Sequence, residues 1–169
     1  MDFELDDVQT IMADTAEKFA KKEIPPWSEK NGDIREIASK MGEVGLFGCA
    51  FPPRYGGSHA GFLAHSVVCE KISAIDSGLR ALFNLQAMTV PYAIMEWGSE
   101  PAREKYIKSL VLGEKIGCTC FSEPNAGSDL AAMETKIEDK GDHFLINGTK
   151  TWISNGNYAD YAIVYGTFD

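Results

Sequence analysis

Apolar residues in the first two thirds of the chain recur at intervals of three and four. Leu5, Val8, Ile11, Met12, Thr15 and Phe19 predict a first helix with these positions on its inner face, ended by the pair Pro25 and Pro26. A second helix is expected to open at Asp33. Its carboxylate would cap the helix and Glu36 complete a capping box, with Ile34, Ile37, Met41 and Val44 facing inward and Gly45 closing it. The run FPPRYGGSHAG, residues 51–61, reads as a turn-rich surface loop. Helical spacing resumes over 62–75 and 77–97, where Pro91 should kink or divide the second segment, and again over 100–112 before Gly113.

After Lys115 the alternation changes to period two. Strands are expected over 116–121, 133–138, 144–146 and 150–154, with turns at DKGD (139–142) and at Asn147 and Gly148; residues 158–168 are also strand-like. Helices first and strands second predict an α+β chain: an all-α domain over residues 1–115, then part of a β domain over 116–169. Four or five strands lie near the lower end of what a stable sheet needs, so an edge should be left open. Trp152 and Ser154 stand at i and i+2 of the strand expected at 150–154, which gives them one sheet face. An indole beside a hydroxyl suits a planar, hydrogen-bonding cofactor, but the spacing by itself favours the plainer reading of a half-buried tryptophan beside a polar strand residue.

The 169 residues, 44% of them hydrophobic, are enough for one domain and part of a second, with a sizeable core. A formal net charge of -9 disfavours nucleic acid and anionic membranes as non-specific partners, because both need a field of the opposite sign. No apolar run approaches the roughly 18 residues that span a bilayer. The acidic opening MDFELDDVQT lacks the basic character of a leader. A cytoplasmic location is therefore expected, or the mitochondrial matrix in a eukaryotic source. Cys49, Cys69, Cys118 and Cys120 form no zinc-type set with histidine and read as small core residues in a reducing compartment, with no metal. His59, His65 and His143 stand at no recognisable spacing from acids.

The segments EPNAGSD (123–129), INGTKTWISNG (146–156), PRYGG (53–57) and WGSEPAREKYIKSLVLGEKIG (97–117) resemble the acyl-CoA dehydrogenase family over the whole chain. In that family an N-terminal helical domain precedes a β-barrel domain and a C-terminal helical bundle. The resemblance implies the first domain and part of the second here, with the C-terminal bundle missing. It implies FAD as cofactor, with Thr119, Phe121, Ser122, Ser128, Trp152 and Ser154 as cofactor-binding residues. Ser122 stands where most relatives carry threonine; it keeps the hydrogen-bond donor and loses the methyl that restricts its rotamers. The plain alternative is that Ser122 and Glu123 only end a strand before Pro124.

SGLRALFNLQ, residues 77–86, is similar to the glutaryl-CoA dehydrogenase group, where an arginine at the position of Arg80 pairs with the distal carboxylate of the substrate. Arg80 and Ser128 are thus the expected substrate-binding residues, Arg80 being otherwise an arginine that snorkels to solvent or pairs with a local acid. Arg54 replaces an acidic residue common before the YGG of relatives. The family's reaction takes an acyl-CoA thioester to its trans-2-enoyl form and passes electrons to electron-transferring flavoprotein, usually in a homo-oligomer. Its base is a carboxylate of the C-terminal bundle, so no catalytic residue is expected in this chain, and the chain alone is expected neither to turn over nor to hold FAD tightly. The alternatives are a non-catalytic helical module that binds a partner through its open β edge, half of a split flavoenzyme, or an acyl-CoA oxidase relative.

Overall fold

A computed structural model describes residues 4–168, so that the outermost ends of the two expected domains, residues 1–3 and 169, lie outside it. Among the described residues six α-helices come first: α1 (Asp7–Glu29), α2 (Ile34–Glu43), α3 (Gly61–Ser73), α4 (Leu79–Asn84), α5 (Val90–Trp97) and α6 (Glu100–Val111). Five strands follow: β1 (Gly117–Cys120), β2 (Lys136–Asp139), β3 (Phe144–Asn147), β4 (Tyr161–Val164) and β5 (Thr167–Phe168). The α+β order read from the periodicity is the observed one, with two small sheets. In one, β1 and β4 run parallel; in the other β2 is flanked by antiparallel β3 and parallel β5.

The helices differ from expectation where tertiary packing outweighs local signals. α1 begins with a capping box between Asp6 and Gln9, and it runs through Pro25 and Pro26 to Glu29 instead of ending at them. The prolines remove the amides that would reach back to Lys21 and Lys22, but Ile24 is buried beside them and Trp27 Nε1 donates to Asp33 O at 2.9 Å, which holds the last turn. On α1 the buried set is Met12, Ala13, Ala16, Phe19, Ala20 and Ile24. Leu5, Val8 and Ile11 face out, as does Val44 after α2. Small alanines let α1 lie close to α3, so the packed face is the alanine face and not the one with the largest side chains.

Asp33 does cap α2 through the Arg35 amide, whereas the Glu36 carboxylate pairs with Lys40 at 2.9 Å and completes no box. The segment 77–97 divides before Pro91, through a π-helical turn over Leu85–Thr89. The wide turn gives the proline ring room, and the Thr89 hydroxyl donates to the Asn84 carbonyl at 3.3 Å. The 51–61 loop is anchored rather than superficial: Phe51 and Tyr55 are fully buried against Ile107 and Val111, and the Arg54 guanidinium lies 4.6 Å over the Tyr55 ring. Cys49 and Cys118 are buried, Cys69 and Cys120 half-buried, and all are free thiols. Burial pushes the Cys49 thiol up to about 11, and burial followed by the neighbouring Cys120 does the same to Cys118, so neither is a nucleophile.

Two polar hubs join helices to strands. Gln86, wholly buried, donates through Nε2 to Leu110 O at 2.7 Å and also to Lys115 O, and accepts from Gly117 N at 3.1 Å. Asp160 accepts from Ile116 N at 2.9 Å, Arg35 Nη1 at 2.8 Å and Lys115 Nζ at 3.1 Å. The start of strand β1 is thereby fixed against the helical layer at two successive amides, those of Ile116 and Gly117.

Candidate functional site

On α4, Arg80 and Asn84 are one turn apart and share a face, while Phe83 and Ala87 point into the core. Arg80 therefore sits beside Asn84 and not among the core residues of α4. Its side chain is exposed and makes no hydrogen bond or ion pair to any described residue. Asn84 is held from behind: His65 Nε2 lies 3.3 Å from its Oδ1 and the Cys69 thiol donates to the same oxygen at 3.8 Å. With Oδ1 so occupied, the amide nitrogen of Asn84 is left to donate elsewhere. His65 stacks on Phe83 at 5.0 Å, and burial lowers its pKa, so it serves as a neutral donor behind the site.

β1 alternates across its two faces. Thr119 and, just past the strand, Phe121 look toward α4. Phe121 stacks on Tyr165 with ring centroids 3.9 Å apart. A cavity of about 290 Å³ lies between this strand and α4, walled by Arg80, Asn84, Thr89, Thr119, Phe121, Ser122 and the loop Trp152–Ser154, with Ala81 and Leu85 behind. The structure thus gathers Arg80, Thr119, Phe121, Ser122, Trp152 and Ser154, named from sequence, around one space. Ser128 stands apart, exposed on the turn after Gly127 and outside the cavity wall. No carboxylate is among the wall residues.

Residues 150–154 are not a strand. Trp152 has φ 58° and Asn155 φ 64°, left-handed values that break an extended run. Trp152 and Ser154 therefore share a loop, not a sheet face, and the indole is 92% exposed rather than part of a core. The loop is tied instead by one backbone hydrogen bond and by side chains. Thr151 N donates to Ser122 O at 2.9 Å, Lys150 Nζ donates to Phe121 O at 3.1 Å and to Glu123 Oε1 at 2.7 Å, and Asn155 Nδ2 donates to Gly117 O at 3.2 Å. Glu123 does more than end a strand: it also accepts from Glu134 N at 2.6 Å and Thr135 N at 2.9 Å. The Lys150 ammonium is the main cause that holds the Glu123 carboxyl down at about 2. Sequence reading missed Asn84 and Lys150 as parts of the site. The signal for Asn84 was its place four residues after Arg80; for Lys150 there was only a lysine in an otherwise strand-like run.

The wall suits an aromatic, hydrogen-bonding group. Hydroxyls of Ser122 and Ser154 and the indole of Trp152 line it, and Thr119 Oγ1 is buried without a partner, an unmet bond that an occupant could complete. Among the described residues no cluster of metal-ligating side chains occurs, and no helix is long and apolar enough to cross a membrane.

Comparison with known proteins agrees with this architecture. The family model of the acyl-CoA dehydrogenase N-terminal domain matches residues 6–114, and that of the acyl-CoA dehydrogenase middle domain matches residues 118–167. The chain belongs to the acyl-CoA dehydrogenase family. It is 39% identical to a glutaryl-CoA dehydrogenase of Desulfococcus multivorans over all of this chain and 45% of that protein, and 36% identical to a bovine (Bos taurus) mitochondrial isovaleryl-CoA dehydrogenase over 98% of this chain and 40% of that one. A structure of a Mycobacterium smegmatis glutaryl-CoA dehydrogenase in complex with FADH2 superposes with a TM-score of 0.90 at 31% identity, over 98% of this chain and 44% of its own. A structure described as the electron transferring flavoprotein of Acidaminococcus fermentans gives 0.93 at 32% identity, over 100% of this chain and 46% of its own. The chain spans a little under half the length of the curated relatives it matches.

Proposed function

We propose that this chain is the helical and flavin-contacting portion of an FAD-dependent acyl-CoA dehydrogenase, with a dicarboxylyl thioester of the glutaryl type as substrate. The observation that carries the reading is the cavity in which an unpaired guanidinium from α4 faces the Thr119–Ser122 segment and the Trp152–Ser154 loop. The relatives' names support acyl-CoA oxidation in general, and the similarity to a glutaryl-CoA dehydrogenase supports the finer substrate. In this reading residues 1–115 and 116–169 are separate domains, the protein works in the cytoplasm or mitochondrial matrix as a homo-oligomer, and electron-transferring flavoprotein takes its electrons.

FAD, when bound, supplies the hydride acceptor for desaturation. The chain's own residues do the holding. Ser122 and Ser154 would donate hydroxyl hydrogen bonds to its ring system, Thr119 and Phe121 would form the strand wall of the site, and Trp152 would shield it from water. Ser128, on its exposed turn, is assigned to the phosphate-bearing parts of cofactor and substrate. Arg80 and the Asn84 amide both present donors, so the distal carboxylate of the substrate would be held at two points, which a plain acyl chain cannot exploit.

Two measurements test the reading. The 169-residue chain titrated with FAD should bind weakly and form no enoyl thioester, and steady turnover would refute the assignment of the base elsewhere. In a catalytically complete protein, Arg80→Ala should weaken a glutaryl thioester by about 10- to 100-fold and a butyryl thioester by far less, the loss expected for a charged hydrogen-bonded pair. Equal losses would remove the dicarboxylyl assignment and leave the general one.

A further inference from the structure

We propose that Glu123 and Lys150 are positioning residues: their enclosed ion pair sets the Trp152–Ser154 loop against Phe121 and Ser122, and so shapes the wall of the cavity. The two wall segments are about 30 residues apart in sequence and no ladder of strand hydrogen bonds joins them. What joins them is Lys150, whose Nζ is shared between Glu123 Oε1 at 2.7 Å and the Phe121 carbonyl at 3.1 Å, together with the Thr151 amide on Ser122 O at 2.9 Å. The side chains of Lys150 and Glu123 are only 11% and 3% exposed. Both are therefore shielded from water, where an unpaired charge is costly and a paired one is strongly directional.

Glu123 is itself immobilised. The amides of Glu134 and Thr135 hold both its oxygens, so Lys150 is drawn to a fixed point and not to a mobile carboxylate. Beyond Lys150 the backbone turns left-handed at Trp152 and again at Asn155. Non-glycine residues keep such conformations only where their surroundings over-determine them. The Lys150 anchor on one side and the Asn155 amide on Gly117 O on the other supply that determination, with Trp152, Ile153 and Ser154 displayed between the two ties. Removing the lysine would release one tie and allow the loop to leave the wall, while β1 would stay bonded to the helical layer through Gln86 and Asp160.

Placement of the loop rests on the geometry alone; its consequence for FAD rests on the function proposed above. Backbone amide exchange in the 169-residue chain, read residue by residue by NMR, tests the placement with Lys150→Met, Lys150→Arg and Glu123→Gln. Thr151 should lose protection by about tenfold or more in Lys150→Met and in Glu123→Gln and recover most of it in Lys150→Arg, while Gly117, bonded to Gln86, stays as in the parent. Unchanged protection at Thr151 would overturn the proposal. So would an equal loss at Thr151 and Gly117 in both Lys150→Met and Glu123→Gln, since the pair would then be a general support of the fold. FAD titrations followed by flavin fluorescence separate the two claims. If FAD binds the parent and Lys150→Met equally although Thr151 is released, the link between loop and cofactor wall fails. If the parent binds no FAD at all, it is the cofactor reading that fails, and the exchange data still decide the positioning role.

Discussion

Asp160 is the residue at which charge matters most to the join between helices and strands. Burial pushes its carboxyl up, but the Ile116 amide, the Arg35 guanidinium and the Lys115 ammonium together outweigh this and hold it at about 2, below its ordinary 3.8. A carboxyl lowered on folding adds stability above its unfolded pKa and gives it up as the pH falls through the folded one. Stability should therefore fall as the pH drops from about 4 toward about 2, in step with protonation of Asp160. Asp160→Asn should cost about 1–3 kcal/mol near neutral pH, from charged hydrogen bonds lost, and the difference from the parent should shrink toward pH about 2. Urea midpoints at several pH values check this; a gap that stays constant with pH would exclude the carboxylate charge as the cause. Such hubs leave no local pattern to read, because the partners of Asp160 lie 125 and 44 to 45 residues away. Arg80 was singled out by the resemblance of residues 77–86 to the glutaryl-CoA dehydrogenase group, and because helical periodicity is local its place one turn before Asn84 survives folding unchanged. Glu123 was legible only as the end of a strand, since Lys150 and the Glu134 and Thr135 amides reach it through tertiary structure.

At the scale of elements, close approach decides where the helices sit. Gly42 in α2 lies against the end of α6: a Cβ placed there would meet the Leu112 carbonyl oxygen at 2.0 Å. Gly113, left-handed at φ 69°, answers from the other side, with its own Cβ position 2.3 Å from Ala38 O. Gly42→Ala should accordingly lower stability by about 1–3 kcal/mol through forced separation of backbones, although alanine is the better helix former. Thermal or urea unfolding measures it, and a neutral or stabilising result would mean that α2 shifts freely. Helix positions were readable in the sequence because each carries its own period and caps, as Asp33 and Gly113 do. Other local signals were overruled, two of them at the ends of α1 and of the strand run. Pro25 and Pro26 did not stop α1, whose face is held by Ile24 and Trp27, and the strand-like alternation of 150–154 lost to left-handed turns at Trp152 and Asn155. Period-two patterns need a partner strand to become strands, and residues 150–154 have no ladder partner among the described residues.

In the whole molecule, the two sheets stand in unequal surroundings. β1 and β4 lie against the helices, with Cys118 and Thr119 buried, whereas every residue of β3 is exposed. Phe144, Leu145 and Ile146 are respectively 61%, 40% and 48% exposed, and Phe168 on β5 reaches 66%. Successive strand residues point to opposite faces, so exposure all along β3 means that both faces of this edge strand are uncovered, while Ile137 and Glu138 of β2 are half-buried. A sheet with one wet face is ordinary; here apolar side chains are exposed on both faces of the edge strand β3, an apolar patch larger than scattered surface residues would give. The order of helices and strands was readable, and so was the shortage of strands, but which sheet would be left bare was not, because that depends on the packing of β1 and β4 against α5 and α6. The isolated 169-residue chain should therefore associate in a concentration-dependent way and bind a hydrophobic dye, and Phe144→Lys with Phe168→Lys should reduce both while leaving the helical signal intact. The two rings contact each other at 6.1 Å across β3 and β5, so changing both removes one contiguous apolar patch. Sedimentation over a concentration series, with circular dichroism on the same samples, decides the matter. A parent chain that stays monomeric and ignores the dye would show that this sheet is protected in solution, and the exposed β3 could then no longer be counted as an interaction surface.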